Sequence, residues 1–312
     1  IQTVRDKGRK IIESSRKNGS RLFVLAGRPY HADSLINHKI PDVLSQFGVD
    51  TVTEDAVCRY MSAELKDVRV VTQWAYPNRI YRVAQWVASQ GSRVQMVQIN
   101  SFGCGPDAVV IDEVKQILET AGKNHTLIRV DEISSPGSVR LRLRSLIESL
   151  KQTSQTTPPV KEKPRIPFKG FLATDRHRTI WVPYFSEDYS VYLPALFKNA
   201  GYRFETLPKP DRESVETGLR YANNDICYPG TIVIGDILKA LRTRRYKPKD
   251  IAIGITQTGG QCRASNYLAL IHKGMVSAGF GDIPIISVTA SQGLVYQPGF
   301  KINWLKKIKL LY

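Results

Sequence analysis

Short apolar runs alternate with segments of helical period along almost the whole chain, and this alternation limits the fold more than any single motif does. Leu22–Ala26, Val49–Val57, Val94–Ile99 and His125–Val130 read as strands, separated by helical patterns that end at Phe47, Ser89, Ala121 and Leu150. Gln152–Lys169 breaks the pattern. It is rich in Thr, Ser, Pro and Lys and has no periodic apolar face, as expected of an extended linker. Strands are then predicted at Thr179–Phe185, Arg203–Leu207, Ile251–Ile255 and Ile283–Val288, with helices over Ser190–Ala200, Glu213–Tyr221, Thr231–Leu241 and Ala264–Ala278. Strands joined through helices require right-handed crossovers, which build parallel sheets covered on both faces. The expected fold is α/β, with two doubly wound parallel-sheet domains of Rossmann or flavodoxin type. They span residues 21–151 and 171–295, with a lead-in helix or tail over 1–20 and the linker at 152–170.

Three of the four cysteines fall on turns of one kind. Cys262 lies in TQTGGQCRASNY, between an apolar strand and a helix, where Gly259 and Gly260 permit backbone angles closed to other residues. Cys227 lies in NNDICYPG and Cys104 in SFGCGPD; in both, a proline stands where a first helical turn tolerates it. The partial positive charge of a helix N-terminus favours a thiolate, so such turns suit a reactive or metal-bound sulfur. The plain alternative is that each cysteine is a small buried hydrophobe. Cys58, with no glycine beside it, reads as packing.

Iron–sulfur ligation needs several thiolates, usually four per cluster, and Cys104, Cys227 and Cys262 would supply three metal ligands from separate loops. Tetrahedral zinc with a histidine as fourth ligand is the metal alternative, although no close Cys-x-x-Cys or His-x-x-x-His pair supports it. Covalent catalysis by Cys227 or Cys262 would need a base, which the fold could supply in His31. Gly27-Arg28-Pro29-Tyr30-His31 joins a strand to a helix start, so Gly27, Arg28 and His31, like Gly259 and Gly260, are candidates for holding an anion or the anionic part of a cofactor. The bland reading of that segment is a tight turn with Arg28 paired to a neighbouring loop.

A net charge of +17 raises the question of nucleic acid, but the excess is concentrated at +4 in residues 1–20, +5 in 151–178 and +4 in 296–312. No basic stripe with interleaved aromatics marks the body, so no nucleic-acid partner is expected. No apolar run reaches the ~18–20 residues that cross a bilayer. Four scattered cysteines fit a reducing cytoplasm. The first residue is Ile1 rather than Met, so the chain reads as part of something longer. Gly299–Tyr312 is predicted as an amphipathic helix, with Phe300, Trp304, Ile308 and Leu311 on the side that docks on protein; membrane binding is the alternative.

The segments LAGRPYHADSLINHKIP, TEDAV, QWAYPNRIYRVAQWV, QINSFGCGPDAV, YANNDICYPGTIVIGDIL and QTGGQCRASNY resemble those of the large acyl-CoA dehydratase activase-related proteins, or CoA-substrate-specific enzyme activases. The second half is also similar to the component D family of 2-hydroxyacyl-CoA dehydratases. The resemblance runs from about Arg21 to Val288. It implies an oxygen-sensitive iron–sulfur protein of anaerobic metabolism, of the [4Fe–4S] type, that accepts low-potential electrons from an ATPase activase domain and serves an acyl-CoA substrate. It marks Cys104, Cys227 and Cys262 as ligands and leaves out Cys58. No stretch resembles the ATPase domains or a phosphate-binding lysine loop, so the cluster-side portion is expected here, with an incomplete ligand set if further ligands lie upstream. The alternative is a non-catalytic docking or scaffold module for an activase or a CoA-substrate enzyme.

Overall fold

The computed structural model describes residues 2–62, 64–65, 68, 70, 74–101, 106–130, 136–153, 167–223, 225–243, 246–257, 263–289 and 297–301. The chain divides into two compact units, Ile1–Pro164 and Arg165–Tyr312. Each contains a four-stranded parallel sheet with helices on both faces.

In the first unit the strands are β1 (Arg21–Ala26), β2 (Val49–Thr53), β3 (Val94–Asn100) and β4 (Thr126–Arg129), in the order β2-β1-β3-β4. The register sets Leu22 beside Val94 and Asp50, and Val97 beside Thr126. Phe23, Leu25, Val97 and Ile99 project into one core with Ile40 and Leu44 of α2 (Ile40–Gln46) and Val139, Leu143 and Ile147 of α6 (Pro136–Thr153). The other face is covered by α4 (Ala75–Ala88) and α5 (Asp107–Thr120), which pack on each other. Residues 2–18 form an ordered helix, α1 (Gln2–Asn18), not a frayed tail. It buries Ile12 and packs against α3 (Glu54–Val57), where Gly8 comes so close to Ala56 that a Cβ would overlap it. The predicted strand over Val49–Val57 therefore stops at Thr53, and Glu54 opens a single helical turn.

The second unit repeats the plan with β5 (Thr179–Val182), β6 (Arg203–Thr206), β7 (Ile251–Gln257) and β8 (Ile285–Thr289), ordered β6-β5-β7-β8. Phe171, Ile180, Val182 and Ala252 build the core on one side with Phe197 of α7 (Glu187–Lys198), Tyr202 and Phe300. Two consecutive helices, α8 (Arg212–Tyr221) and α9 (Tyr228–Arg242), follow β6, and α10 (Tyr267–Ser277) follows β7. The α8–α9 crossing is built from small residues. A Cβ on Gly218 would overlap the Thr231 carbonyl, and one on Gly235 would overlap the Ser214 carbonyl.

Phe300 does not begin a helix. Gly299 bonds to the Phe171 carbonyl at 2.9 Å, Lys301 N–H donates to the Tyr202 hydroxyl at 2.7 Å, and the Phe300 ring sits in the core; the rest of the predicted terminal helix, 302–312, lies outside the described residues. Nearby, the Gln297 side-chain amide accepts the Ser287 N–H and donates to the Ser287 carbonyl, both at 2.6 Å. It thus satisfies backbone groups on the edge strand β8, which would otherwise be free to pair elsewhere.

Candidate functional site

In each sheet the chain crosses from one side of the first strand to the other, which opens a crevice at the carboxyl ends of the two central strands, the usual ligand position in such folds. In the first unit this crevice lies between β1 and β3, and the Gly27–His31 segment fills its edge. Pro29 to Ala32 form a short 3-10 turn. Gly27 has no room for a side chain, because a Cβ would meet the His31 ring and stand 2.7 Å from the Ile99 carbonyl.

The turn's hydrogen-bonding groups are turned inward. Gly27 N–H donates to Glu54 Oε2 at 3.0 Å, and Arg28 N–H donates to His31 Nδ1 at 3.0 Å. Because Nδ1 accepts, the neutral imidazole carries its hydrogen on Nε2 and donates it to Ser101 Oγ, 2.6 Å away. The Arg28 guanidinium pairs with Asp107 at 2.9 Å, and Tyr76 donates to the other Asp107 oxygen at 3.0 Å. Burial, helped by the charge on Arg28, lowers the His31 pKa to about 4, so the ring is neutral at physiological pH.

Glu54 is the second centre of this network. It is 6 % exposed, accepts Gly27 N–H on one oxygen and pairs with Arg79 at 2.7 Å through the other. Burial raises its pKa to about 7, against the opposing pull of Arg79 and the Gly27 amide. Gly27, His31, Thr53, Glu54 and Ile99 line a small open cleft of about 20 Å³. Of this segment's donors, the Gly27 and Arg28 amides and the Arg28 Nε–H are thus engaged by Glu54, His31 and Asp107.

In the second unit Cys227 is the N-cap residue of α9, half-buried, with its sulfur 3.0 Å from the Tyr267 hydroxyl. The turn that carries it joins two helices rather than a strand to a helix, so it differs in kind from the Cys262 context. Since α9 runs back into β7, its N-terminus lies at the carboxyl end of that strand, where α10 also begins. Gly230 leaves space for the tyrosine, since a Cβ there would lie 3.1 Å from Tyr267 Cε1 and 2.9 Å from Ile226 Cδ1. A partly accessible sulfur at a helix N-terminus, with a hydroxyl in reach, fits a metal-bound thiolate. Cys104, Cys262, Gly259 and Gly260 lie outside the described residues. Cys58 directs its S–H to the Asp55 carbonyl at 3.1 Å, consistent with packing. Among the described residues no three His, Cys, Asp or Glu side chains gather as a metal site, and no helix is long and apolar enough to cross a membrane.

Sequence reasoning overlooked Glu54, Arg79, Tyr76, Ser101 and Asp107. Two signals were available. Glu54 continues the inward phase of Val52, where a buried strand calls for an apolar residue, and Asp107 places a carboxylate in the first turn of α5, which a helix N-terminus favours.

Residues 1–57 match the family model of the CoA enzyme activase uncharacterised domain, which relates the chain to CoA enzyme activase systems. The match includes Gly27, Arg28, His31 and Glu54, and ends before Cys58. No curated protein and no solved structure matches the chain.

Proposed function

We propose that the chain is the iron–sulfur portion of an activase- or dehydratase-type system, in which Cys104, Cys227 and Cys262 provide thiolates and electrons arrive from an ATP-driven activase domain. The observation that carries this reading is Cys227, capping α9 at the carboxyl end of β7 with the Tyr267 hydroxyl 3.0 Å from its sulfur. The activase-domain match over residues 1–57 supports the same assignment. A cluster bound there would supply one-electron transfer at low potential. The chain's own contribution is to cap the sulfur with a helix N-terminus, to donate a hydrogen bond from Tyr267, and to keep the surrounding backbone close through Gly230. An acyl-CoA is the substrate class this reading implies.

The test is anaerobic reconstitution of the full chain with ferrous iron and sulfide, followed by iron and sulfide analysis. Cys104→Ala, Cys227→Ala and Cys262→Ala should each lower bound iron, while Cys58→Ala should leave it unchanged. Full iron in all three ligand variants would rule the assignment out.

A second reading, a docking module for an activase or a CoA-substrate enzyme, draws on α7. There Tyr189 and Tyr192 stand 72 % and 71 % exposed on one helix. Failure of the wild-type chain to take up iron, with its fold intact, would favour it.

A further inference from the structure

Asn100 closes β3, which borders the crevice of the first unit opposite β1. Its side chain is 2 % exposed, and among the described residues neither Oδ1 nor Nδ2 has a hydrogen-bond partner. Such buried, unpaired amides are rare in folded proteins, because water is lost and nothing replaces it. Val97 and Ile99 project into the core with α2 and α6, so the alternation of a strand sends Asn100 to the opposite face, under α4 and α5. Arg28 reaches the same face. The last registered pair of β1 and β3 is Ala26 beside Gln98, and Arg28 and Asn100 each stand two residues further on. The chains stay close there, since a Cβ on Gly27 would stand 2.7 Å from the Ile99 carbonyl. Arg28 pairs with Asp107 in the first turn of α5, and its guanidinium lies 5.4 Å from the ring centroid of Tyr76 in the first turn of α4.

The Arg28 guanidinium is only partly used. Its Nε donates to Asp107 Oδ2 at 2.9 Å, whereas Nη1 and Nη2 meet no acceptor among the described residues, and 29 % of the side chain is exposed. Both oxygens of Asp107 are taken. The second accepts the Tyr76 hydroxyl at 3.0 Å, and burial raises the Tyr76 pKa, so the phenol keeps the proton it donates. The outer edge of Arg28 presents two nitrogens in one plane, a match for the two oxygens of a carboxylate.

We propose that Arg28 and Asn100 form a binding site for the carboxylate of a small organic acid, with Arg28 Nη1 and Nη2 holding its oxygens and the Asn100 amide donating to one of them. Asn100 Oδ1 is left to accept an O–H or N–H group borne by the same ligand. A monoanion fits better than a phosphate dianion, because Asp107 already balances the single guanidinium charge. None of these residues is a candidate cluster ligand, so the site stands or falls independently of bound iron.

The test is amide exchange in the full, iron-free chain, with Phe23 and Val24 of β1 reporting the stability of the first unit in sodium acetate, sodium phosphate and sodium chloride of equal ionic strength. Acetate should slow exchange roughly ten-fold relative to chloride, the effect of a ligand at about ten times its dissociation constant, and phosphate should do less. Asn100→Leu replaces the amide by an apolar group of the same branched shape. It should slow exchange roughly ten-fold in chloride, because the unpaired polar atoms are gone, and abolish the further effect of acetate. Arg28→Lys keeps a cation for Asp107 but has no second edge, and should lose the acetate effect; Asn100→Leu keeps the test open if Arg28→Lys does not fold. Acetate no better than chloride in the wild type, phosphate better than acetate, an acetate effect retained in Asn100→Leu, or faster exchange of Asn100→Leu in chloride would each overturn the site.

Discussion

Gly235 on α9 lies directly beneath the backbone carbonyl of Ser214 on α8, so close that no side chain fits between the two helices. At the next residue of α9, the carboxylate of Asp236, only 2 % exposed, lies 3.1 Å from Ser214 Oγ. Two opposing effects decide what Gly235→Ala does. Better helix propensity favours Ala by about 1 kcal/mol. Overpacking a tight contact costs roughly 1–3 kcal/mol, and here the opposing atom is backbone that cannot rotate away. The steric cost should win, for a net loss of about 1 kcal/mol, read as a lower urea midpoint for the second unit. An unchanged midpoint would mean that the helices slide apart at little cost.

The pH dependence of the first unit combines groups of opposite sign. His31 titrates at about 4 in the folded chain against 6.5 when free, so its contribution is fully present above pH 6.5 and is lost as pH falls through 4. His125, lowered to about 4 by burial, acts in the same direction. Glu54 titrates at about 7 against 4.5, so its contribution is present below pH 4.5 and is lost as pH rises through 7. Glu54→Gln removes the opposing slope and leaves Arg79 with only the longer 3.5 Å pair to Asp55, an offset that does not vary across this range. Stability against pH between 4.5 and 7 should therefore rise more steeply in Glu54→Gln than in the wild type, measured by urea titration with exchange at the β1 amides as the probe. A slope equal to the wild type's would contradict the raised pKa of Glu54.

Tyr267→Phe removes the hydroxyl beside Cys227 and keeps the ring that packs on Gly230. A phenol is a better donor than a thiol, so Tyr267 stabilises charge on the sulfur. Alkylation of Cys227 by iodoacetamide in the iron-free chain should slow by about five-fold, with Cys58 as the internal reference. Faster alkylation would show that the hydroxyl shields the sulfur more than it activates it.

Gln297 protects the edge of the second sheet with both ends of its amide. Gln297→Glu keeps an acceptor for Ser287 N–H but sets a carboxylate against the Ser287 carbonyl, whereas Gln297→Ala removes both bonds. Each should cost about 1–3 kcal/mol, and Gln297→Ala should also increase concentration-dependent association as the β8 edge opens. Light scattering against protein concentration tests the second effect apart from the first.

The alternation of strands and helices was legible because buried parallel strands concentrate apolar residues, and every strand of both sheets overlaps a predicted run. The end of β2 was not legible. Glu54 and Asp55 lie between Val52 and Val57, and only the tertiary pairing of Glu54 with Arg79 and Gly27 explains why the chain turns there. Phe300 shows the same limit: its spacing to Trp304 reads as helical, yet the bonds of Gly299 and Lys301 to Phe171 and Tyr202 hold it in a turn. In the candidate site, glycine and proline punctuation located Gly27–His31 and the Cys227 turn. The partners that give them meaning come from other elements, 40 residues away for Cys227 and Tyr267 and 79 for Arg28 and Asp107.

The shared strand order has a consequence for how the molecule is made. In both sheets the two central strands pair across about seventy intervening positions, Leu22 with Val94 and Thr179 with Ile251. Closing so long a loop costs entropy before any contact repays it, so neither sheet can be completed from sequence-neighbouring strand pairs alone. During synthesis the first unit has all four of its strands once Arg129 is available, before β5 exists to compete for their edges. Refolding from denaturant presents all eight strands of similar length and polarity at once. Vectorial synthesis thus removes a mispairing hazard that dilution from urea does not, and folding yield should be higher on the ribosome than in the test tube.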